Sequence, residues 1–159
     1  MRQLFVKIFC LATFLFIFGR NPTCFSEDSR NPNDWYQRAR DDFEVAEVLF
    51  GQTAHYGAVC FHAHQAAEKE LKGALISRGA LPDKFHYTAE LAENLSHFIP
   101  KAETLVASCQ ELDRIYVSSR YPKRDGINFT HEEASNCLQN AKPVLDFVIE
   151  QKEPVELTA

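Results

Sequence analysis

No two of the five cysteines, Cys10, Cys24, Cys60, Cys109 and Cys137, stand at CxxC spacing, which argues against a structural zinc site. Basic residues are in deficit as well. Seventeen Lys and Arg against 22 Asp and Glu leave a formal net charge of −5. A nucleic-acid binder that runs on overall charge is therefore excluded, DNA is not an expected partner, and only a local basic patch could serve. Internal repeats and low-complexity runs are missing, and no stretch reads as a credible strand. The longest apolar run, Ile8 to Phe18, is too short for a comfortable membrane span, and the remainder offers no membrane segment.

What is present suits one small domain. The chain has 159 residues, is 45% hydrophobic, and its thirteen Phe supply material for a real core. Arg2 and Lys7 before the run Ile8–Phe18 give residues 1–26 the shape of a signal peptide, with a mis-predicted start as the alternative. Residues 27–33 read as a polar, proline-bearing linker, residues 34–151 as the folded domain and 152–159 as a tail. Cys60, Cys109 and Cys137 fall in helical patterns, where a free cysteine behaves as a small apolar residue. Their odd number favours a reducing compartment and a cytoplasmic protein, whereas a true signal peptide would make it secreted.

Apolar spacing predicts five helices. The first, capped by Asn33 or Asp34, carries Trp35, Ala39, Phe43, Ala46 and Phe50 on one face and ends at Gly51. The second runs from about Gly57 to Ser77, with Gly79 and Pro82 as stop signals. A third spans Thr88–Phe98 with Leu91, Leu95 and Phe98 inward. Pro100 opens a fourth, whose stripe is Leu105, Cys109, Leu112 and Tyr116. Thr130-His131-Glu132-Glu133 has capping-box form and opens a fifth, with Pro143 expected to kink it. The sum is an all-α, antiparallel up-and-down bundle.

The second helix has two rows. Cys60, Ala63, Ala67, Leu71 and Ala74 mark a buried face. Beside it run His62, Gln65, Glu68, Lys69 and Lys72. On a solvated face Glu68 and Lys72 would form only an i,i+4 pair worth ~0.3 kcal/mol. On a cleft wall the same row would offer His, Gln and Lys to an anionic or nucleobase ligand. A second constellation, Arg120, Tyr121, Lys123 and Arg124, lies between the fourth and fifth helices. Its cations suit phosphate and its ring suits a base, while the plainer reading is a solvated basic loop on which Tyr121 packs.

The run Phe61–Lys72 and the step Ser119-Arg120-Tyr121-Pro122, followed by Phe129-Thr130 and an amphipathic last helix, resemble the signature of HEPN domains. The resemblance covers residues 34 to about 151, and among HEPN domains it is most similar to the C-terminal one of sacsin, a chaperone-related protein. It implies a homodimer whose cleft takes a nucleotide, GTP or ATP, with no other cofactor and without turnover. By position the cleft would use His62, Gln65, Lys69, Lys72, Arg120, Tyr121, Lys123 and Arg124, with Glu68 orienting Lys72 or pairing with it. Many HEPN domains are RNases with an Arg-x4–6-His pair. Asp125, Gly126 and Ile127 stand where a partner of Arg120 would be, whereas Arg124 and His131 satisfy Arg-x6-His. A metal-independent RNase using Arg124 and His131, and a pure dimerisation or interaction module, are thus the alternatives.

Overall fold

Helix α1 (Pro32–Gln52), α2 (Tyr56–Ser77), α3 (Thr88–Ser96), a 3₁₀ helix (Pro100–Leu105), α4 (Val106–Arg120) and α5 (His131–Glu150) follow one another with no strand among the described residues. A computed structural model describes residues 28–82, 86–121 and 129–151. The expected signal segment and the tail lie outside them, as do Pro122, Lys123 and Arg124.

Local chemistry explains the boundaries. Asn31, not Asn33 or Asp34, caps α1: its side chain accepts from the Asn33 N–H at 3.1 Å. Pro32 suits the first helical position, where a missing N–H leaves nothing unsatisfied, and so the cap moves back by two or three residues. Asp34 is occupied with the Ser29 hydroxyl and the Asn31 amide. At the end of α2, Gly79 has φ +78°, and the N–H groups of Gly79 and Ala80 donate to the carbonyls of Ile76 and Leu75. This is a Schellman stop, and it needs a residue at ease with positive φ. The capping box of α5 forms, with Thr130 and Glu133 each bonding the other's backbone N–H. The helix then continues through Pro143, whose ring faces solvent, to Glu150.

Two further expectations need correction. Pro100 opens a 3₁₀ helix rather than α4 itself; Ala102 and Leu105, three apart, point inward as that tighter winding requires. Helix α3 stops at Ser96, so Phe98 falls in a turn and is half exposed instead of packing inward.

Helix α2 packs against each of the other four helices. Cys60, Ala63, Ala67, Leu71 and Ala74 are all buried, as their spacing predicts. Small residues let its neighbours approach: a Cβ on Gly73 would stand 2.6 Å from Cε1 of Tyr36 on α1. Leu71, Leu95 and Leu112 are fully buried, each worth roughly 1.5–3 kcal/mol of transfer free energy.

The cysteines also depart from expectation. Cys60 of α2 and Cys137 of α5 form a disulfide across 77 residues, with Cα atoms 5.2 Å apart. Their spacing in sequence is far from any local motif, so only the packing of α2 on α5 reveals the pair. The bridge removes the free-cysteine argument for a reducing compartment. Cys109 remains free and buried, and burial pushes its thiol up to about 12, far from a reactive thiolate. Among the described residues no helix is long and apolar enough to cross a membrane.

Candidate functional site

The polar row of α2 lies between α1 and α4, and most of its charge is matched inside the fold. On the α1 side, the Asp42 carboxylate takes both His62 Nδ1, at 2.9 Å, and the Lys69 ammonium. In the centre, Glu68 and Lys72 form a buried pair rather than a solvated one. Lys72 Nζ donates to Glu68 Oε1 at 2.8 Å, with both side chains under 10% exposed. The Lys72 ammonium also lies 5.6 Å from the centroid of Trp35, a cation–π contact that helps replace lost hydration. Gln65 Nε2 donates to Glu68 Oε2 at 2.9 Å.

Glu68 receives a third donor from outside α2. His86, just before α3, has Nδ1 2.9 Å from Glu68 Oε1. Burial pushes the Glu68 carboxyl up, but the hydrogen bonds and charges of Lys72 and His86 outweigh it and hold the group below the ordinary carboxylate range. An ionised carboxylate only accepts, so Nδ1 of His86 carries the proton and Nε2 points away from the pair.

Below this row a second carboxylate ties three elements together. Asp113 of α4 accepts from the N–H groups of Thr88 and Ala89, from the Thr88 hydroxyl, and from His64 Nε2 at 3.1 Å. Tyr87, the N-cap residue of α3, makes no side-chain cap bond; Asp113 supplies the missing acceptor from another helix. Burial raises this carboxyl, yet the donors around it prevail and lower it. His64 is fully buried, and its Nδ1 has no hydrogen-bond partner, with Glu68 Oε2 4.0 Å away.

Arg120, at the C-terminal end of α4, stands apart from these pairs. Its guanidinium lies 4.1 Å from the centroid of Tyr116 and 5.0 Å from that of Phe61 on α2. It is exposed, and it has no ion pair among the described residues. Tyr116 in turn touches His64, Tyr87 and His86, the last nearly parallel at 19° with centroids 6.1 Å apart. Tyr87, in contact with it, and Tyr121, which follows Arg120 in the chain, are both more than half exposed. A guanidinium held on two rings, among exposed aromatic faces and an oriented imidazole, can take an oxyanion and stack a planar base.

The structure thus joins Arg120 to α2 through Phe61, and to Glu68 and Lys72 through Tyr116 and His86. It draws His62 and Lys69 towards Asp42. Lys123 and Arg124 lie outside the described residues. His131 packs its imidazole against Phe50, at 4.5 Å, and Tyr56, at 5.6 Å. Four contributors escape the sequence reading: Phe61, His86, Tyr87 and Tyr116. Tyr116 could have been found, since it stands one helical turn before Arg120 on the same face. The contact between His86 and Glu68 crosses a loop and leaves no trace in spacing. Among the described residues, no group of three or more His, Cys, Asp or Glu is arranged to hold a metal ion.

Comparison with known proteins gives a consistent result. The family described as HEPN domain matches residues 32–152. A protein of Methanocaldococcus jannaschii named "Putative toxin MJ1304" is 29% identical, over 70% of this chain and 82% of its own. The crystal structure of TT1696 from Thermus thermophilus superposes with a TM-score of 0.69 at 31% identity, covering 77% of this chain and 99% of that one. The crystal structure of ST0689, an archaeal HEPN homologue, gives 0.63 at 26% identity, covering 77% and 98%.

Proposed function

Since the chain belongs to the HEPN domain family, we propose that it is a non-catalytic nucleotide-binding module that holds phosphate at Arg120. One observation carries this reading: an exposed guanidinium, stacked on Tyr116 and Phe61, with no carboxylate partner among the described residues. Every other basic residue of the predicted cleft that is described, His62, Lys69 and Lys72, already faces a carboxylate. Their role is then to build the wall, and Arg120 with Tyr121 meets the ligand. The reading matches what is expected of a sacsin-like HEPN domain, including its pairing into a homodimer. Arg120→Glu tests it. The variant loses GTP and ATP binding by calorimetry while its helical circular dichroism is unchanged; loss of helix would make Arg120 a structural residue instead.

The name of the Methanocaldococcus relative gives weight to a second reading, a metal-independent RNase in which Arg124 steadies phosphate and His131 moves a proton. Labelled RNA decides it: His131→Ala must abolish cleavage that the wild type shows. Equal cleavage by both removes the idea. A homodimer that binds no nucleotide at millimolar concentration supports the third reading, an interaction module of a chaperone-related protein.

A further inference from the structure

His86 is placed as a ligand-facing group. Its Nδ1–H is committed to Glu68, itself buried and held by Lys72 and Gln65. A carboxylate behind one ring nitrogen fixes the tautomer and turns the other nitrogen outward, the arrangement by which histidines are aimed at a reacting or bound group. The imidazole is 54% exposed, so Nε2 is accessible. It lies nearly parallel to Tyr116, the ring on which Arg120 rests. Two anion-capable groups of different elements therefore share one aromatic support. Nothing about a purely structural histidine requires that exposure.

We propose that His86 Nε2 is a second phosphate contact of the Arg120 site, and that the site selects a phosphomonoester over a phosphodiester. The inference rests on the nucleotide-binding reading and narrows its ligand class to a terminal phosphate. A monoester has three unsubstituted oxygens, enough to face the guanidinium and the imidazole together. A diester has two, and ester arms occupy its remaining directions. The monoester also carries a second ionisation near pH ~6. One proton can therefore sit on either side of the contact, as Nε2–H···O–P or as Nε2···H–O–P, and the hydrogen bond persists. A diester has no such proton and bonds only a protonated Nε2. Tyr87, exposed and in contact with the Tyr116 ring, offers a face for the base.

Calorimetric titration of the full chain with adenosine 5′-monophosphate and adenosine 3′,5′-cyclic monophosphate tests this. Wild type is expected to bind the monoester at least about five-fold more tightly, a coupling of ~1 kcal/mol. In His86→Gln the monoester falls to the affinity of the cyclic diester, whose own affinity is kept. In Arg120→Gln both ligands weaken. Equal affinities in wild type, or a preference that survives His86→Gln, overturn the assignment of His86 while leaving phosphate binding at Arg120 intact. Binding of neither ligand by wild type overturns both. A second readout separates contact from folding: the ¹⁵N resonance of His86 Nε2 shifts on adding the monoester and stays in place with the diester. No shift with the monoester also overturns the proposal.

Discussion

Asp113 does several jobs with one side chain. It replaces the absent N-cap of α3, anchors the Thr88 hydroxyl and holds His64. Removing it leaves buried or half-buried donors without an acceptor, so Asp113→Ala should destabilise the fold by roughly 2–4 kcal/mol. Urea unfolding at neutral pH measures this. Acid should act on the same groups. Asp113 and Glu68 are both held below their ordinary range in the folded state. Each therefore stabilises the fold above the unfolded carboxylate range, about pH 4, and that contribution is lost as pH falls through the folded values. Unfolding free energy should drop below about pH 4, with a smaller drop in Asp113→Asn.

At the scale of the element, α2 is the helix on which the others are laid, and its apolar row was legible from spacing alone. Cys60, Ala63, Ala67, Leu71 and Ala74 repeat every three or four residues because one helical face must be dry. The polar row was legible as a row but not as a set of partners. Sequence spacing sees Glu68 and Lys72 as neighbours one turn apart; it does not see that Trp35 and His86 close over them from other elements. The same limit hid Asp113 as the cap of α3, since cap motifs are read only from nearby residues. Gly73 shows a further limit, because its reason is the ring of Tyr36 opposite it. Gly73→Ala would normally favour a helix. Here it should destabilise by roughly 1–3 kcal/mol through overpacking against a buried ring. Thermal melting of the variant checks the sign: a higher Tm would mean that α1 moves aside freely.

For the whole molecule, the Cys60–Cys137 bridge is a staple between the central helix and the last one. Both residues are almost fully inaccessible, which places the bridge in the core rather than at a redox-sensitive surface. Closing a loop of this length should add roughly 2–4 kcal/mol. Cys60→Ala/Cys137→Ala is expected to unfold at lower urea by that margin, with its helical content retained in the absence of denaturant. An identical midpoint with and without reductant would mean that the bridge contributes nothing. The bundle itself was readable from five amphipathic periods; the bridge was not, because 77 residues separate its ends. The candidate site was readable in part. Arg120 stood out by composition, whereas its cradle is made by rings from α2 and α4 that only packing brings together.

Arg120, resting on Tyr116 and Phe61, is proposed as the phosphate contact of a nucleotide site. Calorimetric titration of ATP into the wild-type chain at low and high salt, with the mass in solution determined in parallel, tests it most directly. Saturable binding is expected, weakened as salt screens the guanidinium–phosphate contact. No heat at millimolar nucleotide, or binding indifferent to salt, would contradict it.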